Sequence, residues 1–251
     1  MRLDKEKIIY SIKEHWSNLT GCKVTDFDRG VTFILDSQNP KLANTKKINE
    51  EIQVLTYKNG GTIINVPDEC YEELKEIIQT FGIDDEKIGQ LLQKKYKGKL
   101  SSYHSVRLYF FENEKLLPID NNIRKLEKSE KALFDAFMDK CTEQERYDVY
   151  MDFEAKFHNF YAYFQDGDVV ALGEYCKIHD EDEIVLPSII TKENYRGKGY
   201  GKAVVNAMTH KIIESGLISQ YRADPKNIAS INLAKSLGYE EVIEGYSLAM
   251  K

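Results

Sequence analysis

The stretch Tyr195-Arg196-Gly197-Lys198-Gly199-Tyr200-Gly201-Lys202 constrains this chain more than any other. It lies between the apolar run EIVLPSIIT, which ends at Thr191, and a helical pattern from Gly201 to Ser215 in which Val204, Met208 and Ile212 recur at i, i+4 and i+8. A glycine-rich turn from strand to helix gathers backbone N–H groups at a helix N-terminus, and such a place favours an anion. The three glycines let the backbone approach a ligand closely, and Arg196, Lys198 and Lys202 add positive charge suited to a diphosphate.

Three phosphate-binding patterns compete for the turn. A Walker A loop, GxxxxGK[ST], fails twice: Arg196 stands five before Gly201, and Ala203 follows Lys202. A dinucleotide fingerprint, GxGxxG, fails at Lys202 when started from Gly197. The pattern [RQ]xxGx[GA] is met in full by Arg196, Gly199 and Gly201. A second signature follows: Asn227, Ser230 and Leu233 fit NxxSxxL, with Gly238-Tyr239 behind them. On these residues the chain resembles the GNAT superfamily of N-acetyltransferases, over about residues 125–251.

The resemblance implies a fold and a site. The fold is α/β in the α+β sense: a mixed, mostly antiparallel central sheet flanked by helices, with acetyl-CoA as co-substrate and no metal. The fourth and fifth strands of such a domain splay apart, so polar main-chain groups at Ser188–Thr191 face the acyl group and pantetheine arm; Ile189, Ile190 and Thr191 are the residues carried over. The turn residues Arg196, Gly197, Lys198, Gly199, Tyr200, Gly201 and Lys202 hold the diphosphate. Asn227 bonds the pantetheine arm and Ser230 lies beside it, although Asn227 also suits a helix N-cap. The implied reaction is direct transfer of acetyl to an amine of a small-molecule acceptor. Alternatives are a CoA-binding regulatory module with this fold and an acyltransferase for a larger acyl group.

Acyl transfer to an amine needs a base, a stabilised oxyanion and a protonated leaving thiolate. The N–H of Ile189 or of its neighbour is the candidate oxyanion donor. Glu174 and Glu183 are the candidate bases, with a solvated acidic turn as the other reading of Glu183. The family's usual tyrosine, one residue after the signature leucine, is replaced by Ala234. Tyr239 and Tyr246 are near in sequence, and Tyr239 reads as core.

Upstream, the expected elements are a helix over residues 1–16, a strand at 31–37, and a hairpin at 51–66 whose Asn59-Gly60 provides positive φ angles. Helices follow at 67–81 and 84–96, then a strand at 103–111. The Pro118-containing segment 112–122 reads as a linker, placing an α/β N-terminal domain at 1–120 and the acetyl-CoA-binding domain at 121–251. The hairpin-then-helix order of the first half permits a degenerate copy of the same fold. After the linker, helical patterns span 123–141 and 143–156, then a hairpin at 159–178, a charged loop at 179–182, a strand at 183–191, a strand at 218–223, a helix at 227–237 and a last strand.

Composition narrows the partners. A formal net charge of -6 with 30% charged residues of both signs argues against nucleic acid. The first residues mix acids and bases and make no secretory signal, and no apolar stretch is long enough to span a bilayer, so the expected location is cytoplasmic. The dispersed four cysteines and five histidines lack ligand spacing, so no metal is expected. Homodimerisation through the last strand or the exposed hairpin is open.

Overall fold

The computed structural model describes residues 4–39, 51–96, 98–149, 151, 159–177 and 183–250. They fall into two compact units, one of residues 4–107, 223–227 and 241–250, the other of 108–222 and 228–240.

In the first unit, α1 (Lys5–Thr20) starts at Asp4, whose carboxylate accepts the N–H groups of Glu6 and Lys7, and stops at Gly21 in the left-handed region. Its strands are β1 (Val31–Leu35), β2 (Glu51–Tyr57) and β3 (Thr62–Val66). Helices α2 (Tyr71–Phe81) and α3 (Asp85–Lys95) follow, then β4 (Leu100–Phe110), of which residues 100–107 belong here. β1 pairs with β3 in parallel, and β2 pairs antiparallel with β3 and with the last strand. Ile52, Val54, Ile64, Leu74, Ile88 and Leu92 join the sheet to α2 and α3 in one core.

The β2–β3 turn departs from expectation, because neither Asn59 nor Gly60 has positive φ. Its glycines serve close approach instead. A Cβ on Gly60 would lie 2.1 Å from the Phe27 carbonyl oxygen, and one on Gly61 would lie 2.2 Å from that of Asp26. The Gly61 N–H donates to Phe27 O at 2.9 Å, so the hairpin is pinned to the 3₁₀ turn Val24–Phe27.

The second unit is built on β5 (Ile123–Lys125), β6 (Phe160–Gln165), β7 (Asp168–Lys177), β8 (Ile184–Thr191) and β9 (Ile218–Ala223, with 218–222 in this unit), in that order across the sheet. Its helices are α4 (Lys131–Met138), α5 (Glu143–Val149), α6 (Tyr200–Glu214) and α7 (Ile228–Ser236). β10 (Tyr239–Met250) begins here and gives 241–250 to the first unit. Pairing is antiparallel except between β8 and β9. The expected fold class, mixed α/β on a mostly antiparallel sheet flanked by helices, is what forms.

The helical pattern expected over 123–141 is helix only from Lys131 to Met138. Ile123 pairs with Tyr163 at the sheet edge, and Arg124 sends two 2.7 Å hydrogen bonds to the Glu130 carboxylate, which also accepts from the Glu127 N–H. Tertiary pairing thus outweighs the local propensity. The expected linker 112–122 is held in place: buried Asn206 of α6 accepts from the Leu117 N–H at 2.9 Å and donates to its carbonyl at 2.8 Å. The expected helical continuation over 152–156 and the charged loop 179–182 lie outside the described residues.

The two faces of this sheet carry different helices. Gly173, Ile189 and Thr191 face α6, whose Val204 and Met208 fill the space beside Gly173. Leu172 and Ile190 face the other way, into a cluster with Phe134, Phe137 and Phe160. No helix among the described residues is long and apolar enough to cross a membrane.

Asp36, just after β1, supplies a pH test. Burial, then the charges of Asp68, Glu69 and Glu51, raises its carboxyl to about 6. The folded state therefore holds this proton more tightly than the unfolded chain, and the stability it brings is lost as pH rises from about 4 to about 6. Asp36→Asn is expected to unfold at a higher temperature than the parent above pH ~6, with the gap closing toward pH ~4; equal midpoints at pH 7 would contradict the assignment.

Candidate active site

The site begins where β8 leaves β9. Only Ile184↔Ile218 and Val185↔Ser219 pair these strands, although β8 runs on to Thr191. The Lys192 N–H donates to Val170 O at 3.0 Å, which sets the phase of the β7–β8 ladder. In an antiparallel ladder alternate residues exchange hydrogen bonds with the neighbour, so 188, 190 and 192 bond β7 while 187, 189 and 191 turn their main-chain groups away from it. Beyond Val185 those groups look into an open fork. No β9 residue pairs with Ile189 or Thr191 among the described residues, so the N–H and C=O of Ile189 and the N–H of Thr191 are turned toward the opening. Pro187 contributes a carbonyl but no N–H, and the Thr191 carbonyl accepts from Arg196 Nε at 3.1 Å.

The glycine-rich turn opens α6 beside the same strand end. Gly197 has φ 74° and Gly199 φ 87°, both left-handed. Gly199 is the N-cap and offers no side chain to the first-turn N–H groups. No protein acceptor takes the N–H groups of residues 197–202 among the described residues, and a Cβ built at Gly197 or Gly199 would meet nothing within 4 Å. Orphan donors at a helix start, facing open space, suit a bound diphosphate. Lys198 lies over the Tyr195 ring at 5.0 Å and Lys202 is half-buried; neither forms an ion pair with a described residue.

Gly201 sets how near the helix comes. A Cβ there would lie 2.6 Å from Thr191 Oγ1 and 3.5 Å from Ile189 Cγ1, so only glycine lets α6 press this closely on the fork's open end. Tyr200, beside it, packs on Tyr163 with ring centroids 4.5 Å apart.

The candidate residues separate into groups. Ile189, Thr191 and 197–202 come together at the fork and the turn. Ile190 is adjacent, but its main chain bonds β7 and its side chain belongs to the α4 cluster. Arg196 sits in the turn with its guanidinium paired to Glu145. Ser230, in the first turn of α7, bonds the Tyr221 hydroxyl at 2.9 Å. Asn227 is exposed, directly precedes α7 and falls in the first unit.

Glu174 is 1% exposed and pairs across the sheet with Phe160 and Ser188, on the face turned from α6. Glu183 is exposed at the closed end of the fork; its carbonyl accepts the Ile218 N–H at 2.8 Å, and six residues of strand, roughly 20 Å, separate it from Ile189. The geometry does not bring Glu183 to the fork. Tyr239 is core: its hydroxyl lies 2.6 Å from Thr209 Oγ1 and 2.7 Å from Ser219 Oγ, and burial pushes its ionisation upward. Ala234, fully buried, brings no hydroxyl.

Sequence reasoning missed Glu145 and Tyr221. The spacing Thr142-x-x-Glu145 does signal a helix start, and the reciprocal bonds between them form, but nothing local announces the partner 51 residues away. Tyr221 reads as one more apolar position of a buried strand.

The model of the GNAT acetyltransferase family matches residues 125–239, which hold both the fork and the turn. These residues form a GNAT acetyltransferase domain. Among solved structures, the chain is similar to a GNAT-family acetyltransferase from Colwellia psychrerythraea, with TM-score 0.50 and 18% identity over 75% of this chain and 76% of that one. It is also similar to a putative GNAT-family acetyltransferase from Novosphingobium aromaticivorans DSM 12444, with TM-score 0.49 and 14% identity over 83% and 78%. The first of these supports the fold. No curated protein matches the chain. The matched residues make up just under half of the chain, and the family they match is one of acetyltransferases.

Packing at Gly201 is testable by denaturant unfolding. Gly201→Ala is expected to cost about 1–3 kcal/mol through overpacking. Thr191→Ala should recover most of that loss, whereas additive effects would contradict the contact.

Proposed function

We propose that the GNAT domain transfers an acetyl group from acetyl-CoA directly to an amine of a small molecule. The observation that carries the reading is the pair of orphan donor sets: N–H groups of 197–202 at the start of α6, and those of Ile189 and Thr191 in the fork beside it. The first set holds the diphosphate, with Lys198 and Lys202 adding charge. The second set places the thioester, which when bound supplies the activated acyl group. The Ile189 N–H is preorganised to stabilise the oxyanion as the amine adds. Asn227 and Ser230 are assigned to the pantetheine arm by the family signature.

Glu174 is the better base. It stands on the sheet face turned from α6, next to Ser188 and one residue from the Ile189 register, and a carboxylate there can take the ammonium proton directly or through water. Glu183 is too far along the strand. With Ala234 in place of a tyrosine, the thiolate, a fair leaving group, departs without a hydroxyl from that helix position.

Buried Ala234 also favours a second reading, a CoA-binding module with little turnover. Release of CoA thiol across a panel of primary amines separates the two: turnover supports the enzyme, and tight binding without turnover supports the module. Donor binding itself is read from unfolding. Acetyl-CoA at 100 times its Kd should stabilise the protein by about 2.7 kcal/mol. Gly199→Glu, which puts a side chain and a negative charge at a left-handed position, should abolish that stabilisation; protection that survives it would contradict the site.

A further inference from the structure

Arg196 is the cation that the motif places nearest the diphosphate turn, yet its side chain points elsewhere. Its Nε donates to the Thr191 carbonyl at 3.1 Å and its Nη2 is ion-paired with the Glu145 carboxylate. Glu145 is itself fixed. Its other oxygen accepts from the Thr142 N–H at 2.7 Å and from Thr142 Oγ1 at 3.0 Å. Burial pushes the Glu145 carboxyl up, but the Thr142 hydrogen bonds and Arg196 outweigh this and hold it below its ordinary value, so it is charged at neutral pH. The start of α5 is tied once more where Arg146 donates to the Cys141 carbonyl from Nε at 3.2 Å and Nη2 at 3.1 Å. Cys141 lies in the cluster with Phe134 and Phe137, on the sheet face that also carries Glu174.

We infer that Arg196 is a positioning residue: through Glu145 it braces the glycine turn against the start of α5, and it does not itself grip the diphosphate. Two consequences follow from the geometry. The guanidinium occupies the Thr191 carbonyl, so the fork's open end presents donors at Thr191 and Ile189 but an acceptor only from Ile189 inward. The brace also joins the turn, on the α6 side, to a helix that follows directly from the cluster on the opposite sheet face, so occupation of the turn is transmitted to α5. Swinging Arg196 onto a phosphate would leave Glu145 without its cation, and the orphan N–H groups with Lys198 and Lys202 already supply what a diphosphate needs.

This inference rests on the acetyl-CoA reading above, and its test separates the two. Acetyl-CoA affinity is measured by calorimetry at low and high salt for the parent, Arg196→Met and Glu145→Gln, alongside hydrogen exchange of residues 142–146 with and without acetyl-CoA. If the parent fails to bind acetyl-CoA, the site reading falls. With a binding parent, both variants are expected to keep its Kd within about threefold and its salt dependence. Both are also expected to lose the slowing of exchange that acetyl-CoA produces in 142–146 of the parent, and the double variant should behave like either single one. A Kd weakened about tenfold or more in Arg196→Met, with reduced salt dependence, would make Arg196 a diphosphate ligand and overturn the brace. Ligand-induced slowing that persists in either variant would overturn it equally.

Discussion

The parting of β8 from β9 after Val185 is the constraint on which the rest of the GNAT domain depends. A sheet interior normally pairs every main-chain polar group, and leaving several unpaired is costly unless something else meets them. Here the ladder to β7 stays intact while the opposite edge of the same strand opens, so one strand both holds the fold and presents donors. The phase of that ladder decides which residues present them. A one-residue shift would turn Ile189 toward β7 and put Ile190 in the fork.

The helix start completes what the strand begins. α6 has no side-chain N-cap, so its first N–H groups remain available, and Gly201 lets this end of the helix lie against Thr191 and Ile189. Strand donors and helix donors are thereby held close together, with Val204 and Met208 packing the helix on the sheet and Asn206 hydrogen-bonding it to Leu117. The Arg196–Glu145 pair adds a link to the other side of the sheet. A preorganised set of this kind has little reorganisation left to do when charge develops on an oxygen nearby.

Much of this was legible in the sequence. The turn, the strand before it and the helix after it are marked by glycine spacing and apolar periodicity, and Ile189 and Thr191 follow from the family resemblance. Chain-distant contacts were not legible. The stretch 123–141 reads as one long helical region, yet Ile123 finds Tyr163 and becomes strand. Asn59-Gly60 resembles a positive-φ turn, but the reason for Gly60 and Gly61 is the nearness of Phe27 and Asp26. Segment 112–122 has the composition of a linker, and nothing local reveals that Asn206 receives it. Arg196 fits a phosphate motif, while its actual partner depends on a helix 51 residues earlier.

The central claim is that main-chain N–H groups of the turn and the fork receive the donor. Amide proton and nitrogen shifts of the uniformly labelled protein, followed while CoA is titrated in, test it most directly. Large, saturable changes at Gly199, Tyr200, Gly201, Ile189 and Thr191, with little movement at Glu183, are the predicted result. Saturable binding that leaves those five amides in place and moves others would contradict the account.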